Sequence, residues 1–220
     1  MEHPIKKQKG GVTYSEYLSL PESKCVELID GELYDMSPPG SPLHSEIITN
    51  LVLEIGGLLR EGHCKVHAGQ LGVSFPRGGA KGSDQMDVVI PDIVVVCDQA
   101  KIDGRGCKGA PDLIIEVLSP SSTSHDQVRK LNLYEQNGVP EFWIVQPEGI
   151  VMVFSIQEAR RYGRPRTYDR TGKITSGIPG LTVDLKRIFP APTNVVREKP
   201  RRYRIKGTPR STGSNGENNG

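Results

Sequence analysis

With 220 residues, 35% of them hydrophobic, the chain can bury one core of ordinary size and still leave some tail. No stretch approaches the ~18 uninterrupted apolar residues of a membrane helix, and the opening MEHPIKKQKGG has charge without the apolar centre of a signal peptide; no membrane partner is expected, and the expected location is cytoplasmic. The net charge of +2 divides into about −3 for the body and +5 for residues 197–220, where seven basic side chains face two acidic ones.

Residues 1–12 read as a flexible N-terminus ahead of a domain spanning 13–196. CVELIDGELYDM alternates around Asp30-Gly31, a dipeptide suited to the positive φ angles of a tight hairpin turn. Ser41 can cap a helix whose first residue is Pro42, and Leu43, Ile47, Ile48, Leu51, Val52, Ile55, Leu58 and Leu59 follow at helical spacing until Gly62. Three Val- and Ile-rich runs come next, CKVHAGQLGVSF, DIVVVC and DLIIEVL. The last two are apolar on both faces, as central strands are. From Asp126 to Asn137 the spacing of Val128, Leu131 and Tyr134 predicts a second helix, stopped by Gly138. EFWIVQ and IVMVFSI supply further strands. The order helix, strand, strand, strand, helix, strand predicts an α/β fold, a mixed sheet flanked by helices, with a hairpin before it and extra strands after it.

The four cysteines, Cys25, Cys64, Cys97 and Cys107, contain no C-x-x-C pair and read as reduced thiols, with neither a zinc site nor a disulfide framework. There is no Gly-rich phosphate loop and no G-x-S-x-G elbow, so nucleotide-binding and serine-hydrolase chemistry lose ground. The Gly-, Ser- and Asn-rich end cannot repay the entropy of ordering and is expected to be disordered. Its basic charge suits non-specific attraction to phosphates; the plain alternative is a solvated tail without a partner.

Charged groups inside apolar strands are costly to bury and ask for a reason. Asp92 opens the run IVVV and Glu116 closes LIIEV; if these strands are antiparallel neighbours, both carboxylates meet at one sheet edge and can ligate a hard cation, Mg2+ or Mn2+. The alternative is that both merely sit at strand ends and reach water. Asp112 also follows a proline, but it lies four residues before Glu116, roughly 13 Å along a strand and too far for one ion to bridge; it reads as a strand-start or loop residue. Lys130 stacks with Asp126 and Tyr134 along one helix face. Its ammonium can polarise a water or stabilise developing phosphorane charge, unless it is only an i,i+4 salt bridge to Asp126. His44 can contact phosphate, though a lone histidine is more often structural. Gln70 sits in a strand run and its side is undecided. Phe142 and Trp143 suit the core better than base stacking.

Together the strings ELIDGELYDMSPPGSPLH, PDIVVV, GAPDLIIEVLSPSS, D-x-x-x-K-x-x-x-Y and GVPEFWIVQPE resemble the Uma-two family of restriction-endonuclease-like proteins, from about Tyr14 to Phe189. That family is similar to the PD-(D/E)XK nuclease superfamily, which shares the core order read above. The resemblance implies Pro91-Asp92 as the Pro-Asp element and Glu116 as the (D/E) element. An E-x-K pattern would need lysine at 118, where this chain has Leu118; Lys130 on the following helix is the implied substitute. Gln146-Pro147 stands where the family often has Asp-Pro, with no catalytic consequence attached. The expectation is metal-dependent hydrolysis of a DNA phosphodiester, with a two-fold dimer suited to cutting both strands of a duplex. One alternative is a nucleic-acid-binding or accessory protein that keeps the fold without turnover. A glycosidase pair ranks last, since only 5% of the chain is aromatic and the lysine would be idle.

Overall fold

The computed structural model describes residues 11–21, 25–36, 40–69, 71–79, 84–119 and 124–191. Residues 1–10 and the basic stretch 197–220 lie outside them. The elements in chain order are α1 (Tyr14–Leu18), β1 (Val26–Ile29), β2 (Glu32–Asp35), α2 (Pro42–Leu58), β3 (Lys65–Ala68), β4 (Val73–Pro76), β5 (Met86–Val89) and β6 (Ile93–Val96). There follow β7 (Ile102–Asp103), β8 (Gly106–Lys108), β9 (Leu113–Val117), α3 (Ser124–Gln136), β10 (Glu141–Gln146), β11 (Ile150–Ser155), β12 (Arg166–Asp169), β13 (Lys173–Thr175) and β14 (Thr182–Asp184). No helix among the described residues is long and apolar enough to cross a membrane.

The strands form two six-stranded sheets and a two-stranded one, β13 with β14. In the first the order is β12-β11-β10-β9-β6-β3, mixed because β9 and β10 run parallel while the other neighbours are antiparallel. The parallel step is made by α3, since two parallel neighbours need a crossover between them. The second sheet has the order β2-β1-β5-β4-β8-β7 and grows from the N-terminal hairpin. That hairpin turns at Asp30 (φ 52°) and Gly31 (φ 77°), the two left-handed residues that a two-residue turn needs. Val12 is buried and gives its N–H to the Gly31 carbonyl in this turn at 2.8 Å.

Ser41 caps α2 by accepting the His44 N–H, with Pro42 at the first helical position. Ile47, Leu51 and Ile55 of α2 are fully buried against one face of the first sheet, meeting Ile93, Val95, Leu113, Ile115 and Trp143. The other face carries Val94, Val96, Ile114, Phe142 and Ile144, and packs on Leu133 and Tyr134 of α3 and on Ile29, Val73 and Phe75 of the second sheet. Both faces of β6 and β9 are therefore covered, which is why their sequences are apolar throughout. Each such buried aliphatic side chain contributes roughly 1.5–3 kcal/mol. Phe142 and Trp143 are both core residues, on opposite faces of β10.

Two expectations are corrected. CKVHAGQLGVSF is not one strand: β3 lies in the first sheet and β4 in the second, and Gly69 between them has φ 94°. Nor are all four cysteines free thiols. Lys65 pairs opposite Val96, so Cys64 and Cys97 flank the same antiparallel ladder, and they are joined in a disulfide across 33 residues of sequence. Sequence spacing alone does not register that proximity. Cys25 and Cys107 are free.

The hairpin turn makes the first testable point. A Cβ at Gly31 would lie 2.9 Å from the Gly11 Cα, and the residue's φ is positive. Gly31→Ala should therefore destabilise the fold by more than about 1 kcal/mol in urea unfolding, because an L side chain is strained there as well as crowded. An unchanged midpoint would mean that the turn relaxes freely.

Candidate active site

Asp92 stands one residue before β6, and Glu116 is the fourth residue of β9. Because Ile93 pairs opposite Ile115 in an antiparallel ladder, Asp92 falls opposite Glu116 at one end of the first sheet. Residues two apart on a strand share a face, so both carboxylates lie on the side of Val94 and Ile114, the side that packs on α3. Asp92 is fixed by the next backbone group of β9, since Val117 N–H donates to its Oδ2 at 2.8 Å.

Across this face α3 carries Lys130 and Tyr134 one turn apart, so both reach the same carboxylate. Lys130 Nζ lies 3.3 Å from Glu116 Oε1, and the Tyr134 phenol donates to that oxygen at 2.8 Å. Asp126, a turn earlier, pairs with Arg129 at 3.6 Å. The second counterion of Lys130 comes from the other sheet: Glu27 of β1, wholly buried, approaches to 3.1 Å through Oε1. That oxygen also accepts the Ile90 N–H at 2.8 Å, while Glu27 Oε2 is buried with no hydrogen-bond partner among the described residues. Lys130 thus lies between two sheets, with a carboxylate from each.

His44 reaches the same strand end from the first turn of α2. Its Nε2–H donates to the Val117 carbonyl at 2.9 Å and lies 3.5 Å from Asp92 Oδ2. Gly40 lies against this imidazole so closely that a Cβ there would collide with it.

The electrostatics follow from burial. Desolvation is the chief cause that pushes the Glu116 carboxyl up to about 8; the Lys130 ammonium opposes it, and the Asp92 and Glu27 carboxylates add to it. At Lys130 burial favours the neutral amine, but Glu116 and Glu27 outweigh it and hold the ammonium firmly charged. The hydrogen bond to Asp92 raises His44 above 6.5, against the effect of burial.

Glu116 thus has the carboxyl groups of Asp92 and Glu27 and the single ammonium of Lys130 as its charged neighbours, and a buried place with more carboxyl groups than cations suits a hard divalent cation. Oδ1 of Asp92 and Oε2 of Glu116 take no part in the bonds above, and Mg2+ needs only one or two carboxylates because it keeps several waters. Glu27 Oε2 is a further buried oxygen whose hydrogen-bonding capacity is unused among the described residues.

Of the other residues singled out from sequence, Gln70 lies outside the described residues. Asp112 sits at the far end of β9 from Glu116, where its carboxylate accepts the Cys97 N–H at 2.7 Å. Glu27 was missed. Its strand reads Val26, Glu27, Leu28, Ile29, and all four are buried, so the rule that a charge inside an apolar strand needs a reason applies to it as well. The alternating look of the hairpin made position 27 resemble a solvent-facing one.

Known proteins resemble this chain in sequence and in fold. Residues 14–186 match the model of the Uma2 family, described as "Putative restriction endonuclease". An uncharacterized protein of Synechocystis sp. (strain ATCC 27184 / PCC 6803 / Kazusa) is 30% identical over 124 residues, which cover 56% of this chain and 61% of that protein's own length. A crystal structure of a putative nuclease belonging to DUF820, from Anabaena variabilis ATCC 29413, superposes with a TM-score of 0.65 at 22% identity, covering 81% of this chain and 97% of the other. That likeness shows the fold.

The raised carboxyl has a measurable consequence. The folded chain keeps a proton on Glu116 that the unfolded chain releases near 4.5, so the stability linked to this group declines as pH rises from 4.5 to about 8. His44 acts with the same sign: its contribution is complete below 6.5 and is lost as pH rises through its higher folded value. In urea unfolding of the metal-free protein from about pH 5 to about pH 9, Glu116→Gln should gain on the parent with rising pH, because glutamine cannot lose a proton. A difference that stays flat across that range would show that Glu116 titrates as an ordinary surface carboxyl.

Proposed function

Because the chain belongs to the Uma2 family, we propose that it is a Mg2+- or Mn2+-dependent nuclease that hydrolyses DNA phosphodiester bonds, with Asp92, Glu116 and Lys130 as its active site. The observation that carries this reading is the register that sets Asp92 opposite Glu116, with Lys130 Nζ 3.3 Å from the second of them. A hard cation held by Asp92 and Glu116 would neutralise charge on the scissile phosphate and lower the pKa of an attacking water.

The chain's own groups have separable tasks. Lys130 stays an ammonium and presents hydrogen-bond donors to charge that develops on the phosphorane, where a fixed cation away from bulk water is most effective. Tyr134 and Lys130 together hold Glu116 Oε1, leaving the other oxygen of that carboxylate for a ligand. His44 and the Val117 backbone hold Asp92 on its Oδ2 side. Glu27 positions Lys130 from behind. A cytoplasmic location belongs with this reading, since the substrate is intracellular DNA.

Four variants test it, by calorimetric Mg2+ titration beside a plasmid-cleavage assay. Asp92→Asn and Glu116→Gln should each lose Mg2+ affinity and cleavage together. Lys130→Ala should keep Mg2+ binding while cleavage slows by roughly 10²–10³-fold, the usual cost of removing one donor aimed at transition-state charge. Asp112→Asn should retain the metal site and turnover, weakening only the hydrogen bond that Cys97 N–H donates to this side chain. Cleavage by Lys130→Ala at the parent rate would remove the lysine from the mechanism. If instead Asp112→Asn abolished metal binding while Asp92→Asn kept it, the site would be elsewhere. DNA binding without any metal-dependent turnover would make the protein an accessory factor on a nuclease fold.

A further inference from the structure

At the end of the first sheet away from Asp92 and Glu116, a second cluster has chemistry of a different kind. Cys97 follows β6, whereas Asp92 precedes it, so five residues, roughly 16 Å of strand, separate the two places. Cys64 lies opposite Cys97, one residue before β3, and His63 precedes it. One ligand atom from each of His63, Cys64 and Cys97 falls within 4.8 Å of the other two. Cys97 is held in place by its N–H bond to Asp112, and all four residues line one cleft, with Arg166 and Ile178 on its walls.

We propose that in the reduced protein His63, Cys64 and Cys97 form a Zn2+ site, exclusive with the Cys64–Cys97 disulfide. The ligands decide the ion. Two thiolates and an imidazole select a borderline-soft cation, whereas the carboxylates at the other end of the sheet select a hard one. Three protein ligands leave a fourth position facing the cleft, open to water or to a small ligand. Here His63 is exposed, so its ring can turn to the metal without rearranging the core.

The chemistry balances in two steps. A thiol reductant gives two electrons and two protons to the disulfide, producing the Cys64 and Cys97 thiols and leaving as its own disulfide. Zn2+ then binds the two sulfurs and one imidazole nitrogen, and the two thiol protons leave to solvent. Either form ties β3 to β6 at the same point. An oxidising medium does so with a covalent bond, and a reducing one with an ion. The inference does not depend on the nuclease reading, because it involves none of the carboxylates near Lys130.

Cobalt(II) reports the outcome, since thiolate ligation gives an intense ultraviolet charge-transfer band that oxygen ligation at Asp92 and Glu116 cannot give. The full chain would be titrated with Co2+ as the disulfide form and after phosphine reduction, followed by competition with Zn2+. One equivalent of thiolate-bound Co2+ should appear only in the reduced protein and be displaced by Zn2+. The band should vanish in Cys64→Ser/Cys97→Ser and persist in Cys25→Ser/Cys107→Ser. His63→Ala removes a direct ligand, so it should weaken binding by more than the roughly 10–100-fold that loss of an outer-shell partner costs. No band in the reduced parent would overturn the proposal, with no variant needing to fold. So would a band in the disulfide form, one that survives the Cys64/Cys97 double change, or one indifferent to His63.

Discussion

One ammonium group organises this molecule. Lys130 is buried between two sheets and held by a carboxyl group from each, Glu27 at 3.1 Å and Glu116 at 3.3 Å. A buried ion of this kind adds little net stability compared with apolar packing, but removing one partner leaves the others uncompensated at a cost of several kcal/mol. The two sheets and the helix between them are therefore held at one spacing. The surrounding aromatic packing fits that spacing: Tyr134, which bonds Glu116, stacks edge-on against Phe142 with ring centres 4.9 Å apart. The cohesion of this layer is apolar, and the charges set its alignment.

Lys130 also explains a departure in the sequence. On β9 a lysine two residues beyond Glu116 would share its face, which is what an E-x-K pattern provides. Here Leu118 occupies that place, packing at the edge of the core, and its N–H closes the ladder to the Val145 carbonyl at 2.8 Å. The positive charge reaches the same carboxylate from α3. The proposed reaction asks only for an ammonium near the carboxylates, and here the crossover helix of a parallel strand pair brings one from a different part of the chain.

Much of this was legible in the sequence, where local rules operate without competition. The Asp30-Gly31 turn, the Ser41-Pro42 helix start and the Gly138 stop each follow from backbone chemistry. Double-sided apolar runs correctly placed β6 and β9 inside the sheet, and a charge inside each run drew attention to Asp92 and Glu116. What escaped was set by pairing at long range. Nothing in CKVHAGQLGVSF says that its halves join different sheets, and the strand MDVV of β5 went unnoticed although it links the hairpin to that second sheet. Cys64 and Cys97 meet through strand register, which spacing rules do not contain. Glu27 was hidden for the same reason: whether a hairpin residue faces water depends on what the hairpin packs against.

The position of Glu27 bears on how much of the chain counts as the working unit. The elements from α2 to β10 carry Asp92, Glu116 and Lys130, and an N-terminal hairpin can look like an ornament on that core. Yet the hairpin carries a buried carboxylate that balances the lysine of the core, and Gly31 at its tip packs on Gly11 and Arg77. Trimming to the shared core would strand a positive charge in the interior and expose the inner face of α3. The accessory sheet is thus an integral part of the smallest piece that can fold around this site, and modularity judged from a shared core alone would draw its boundary in the wrong place.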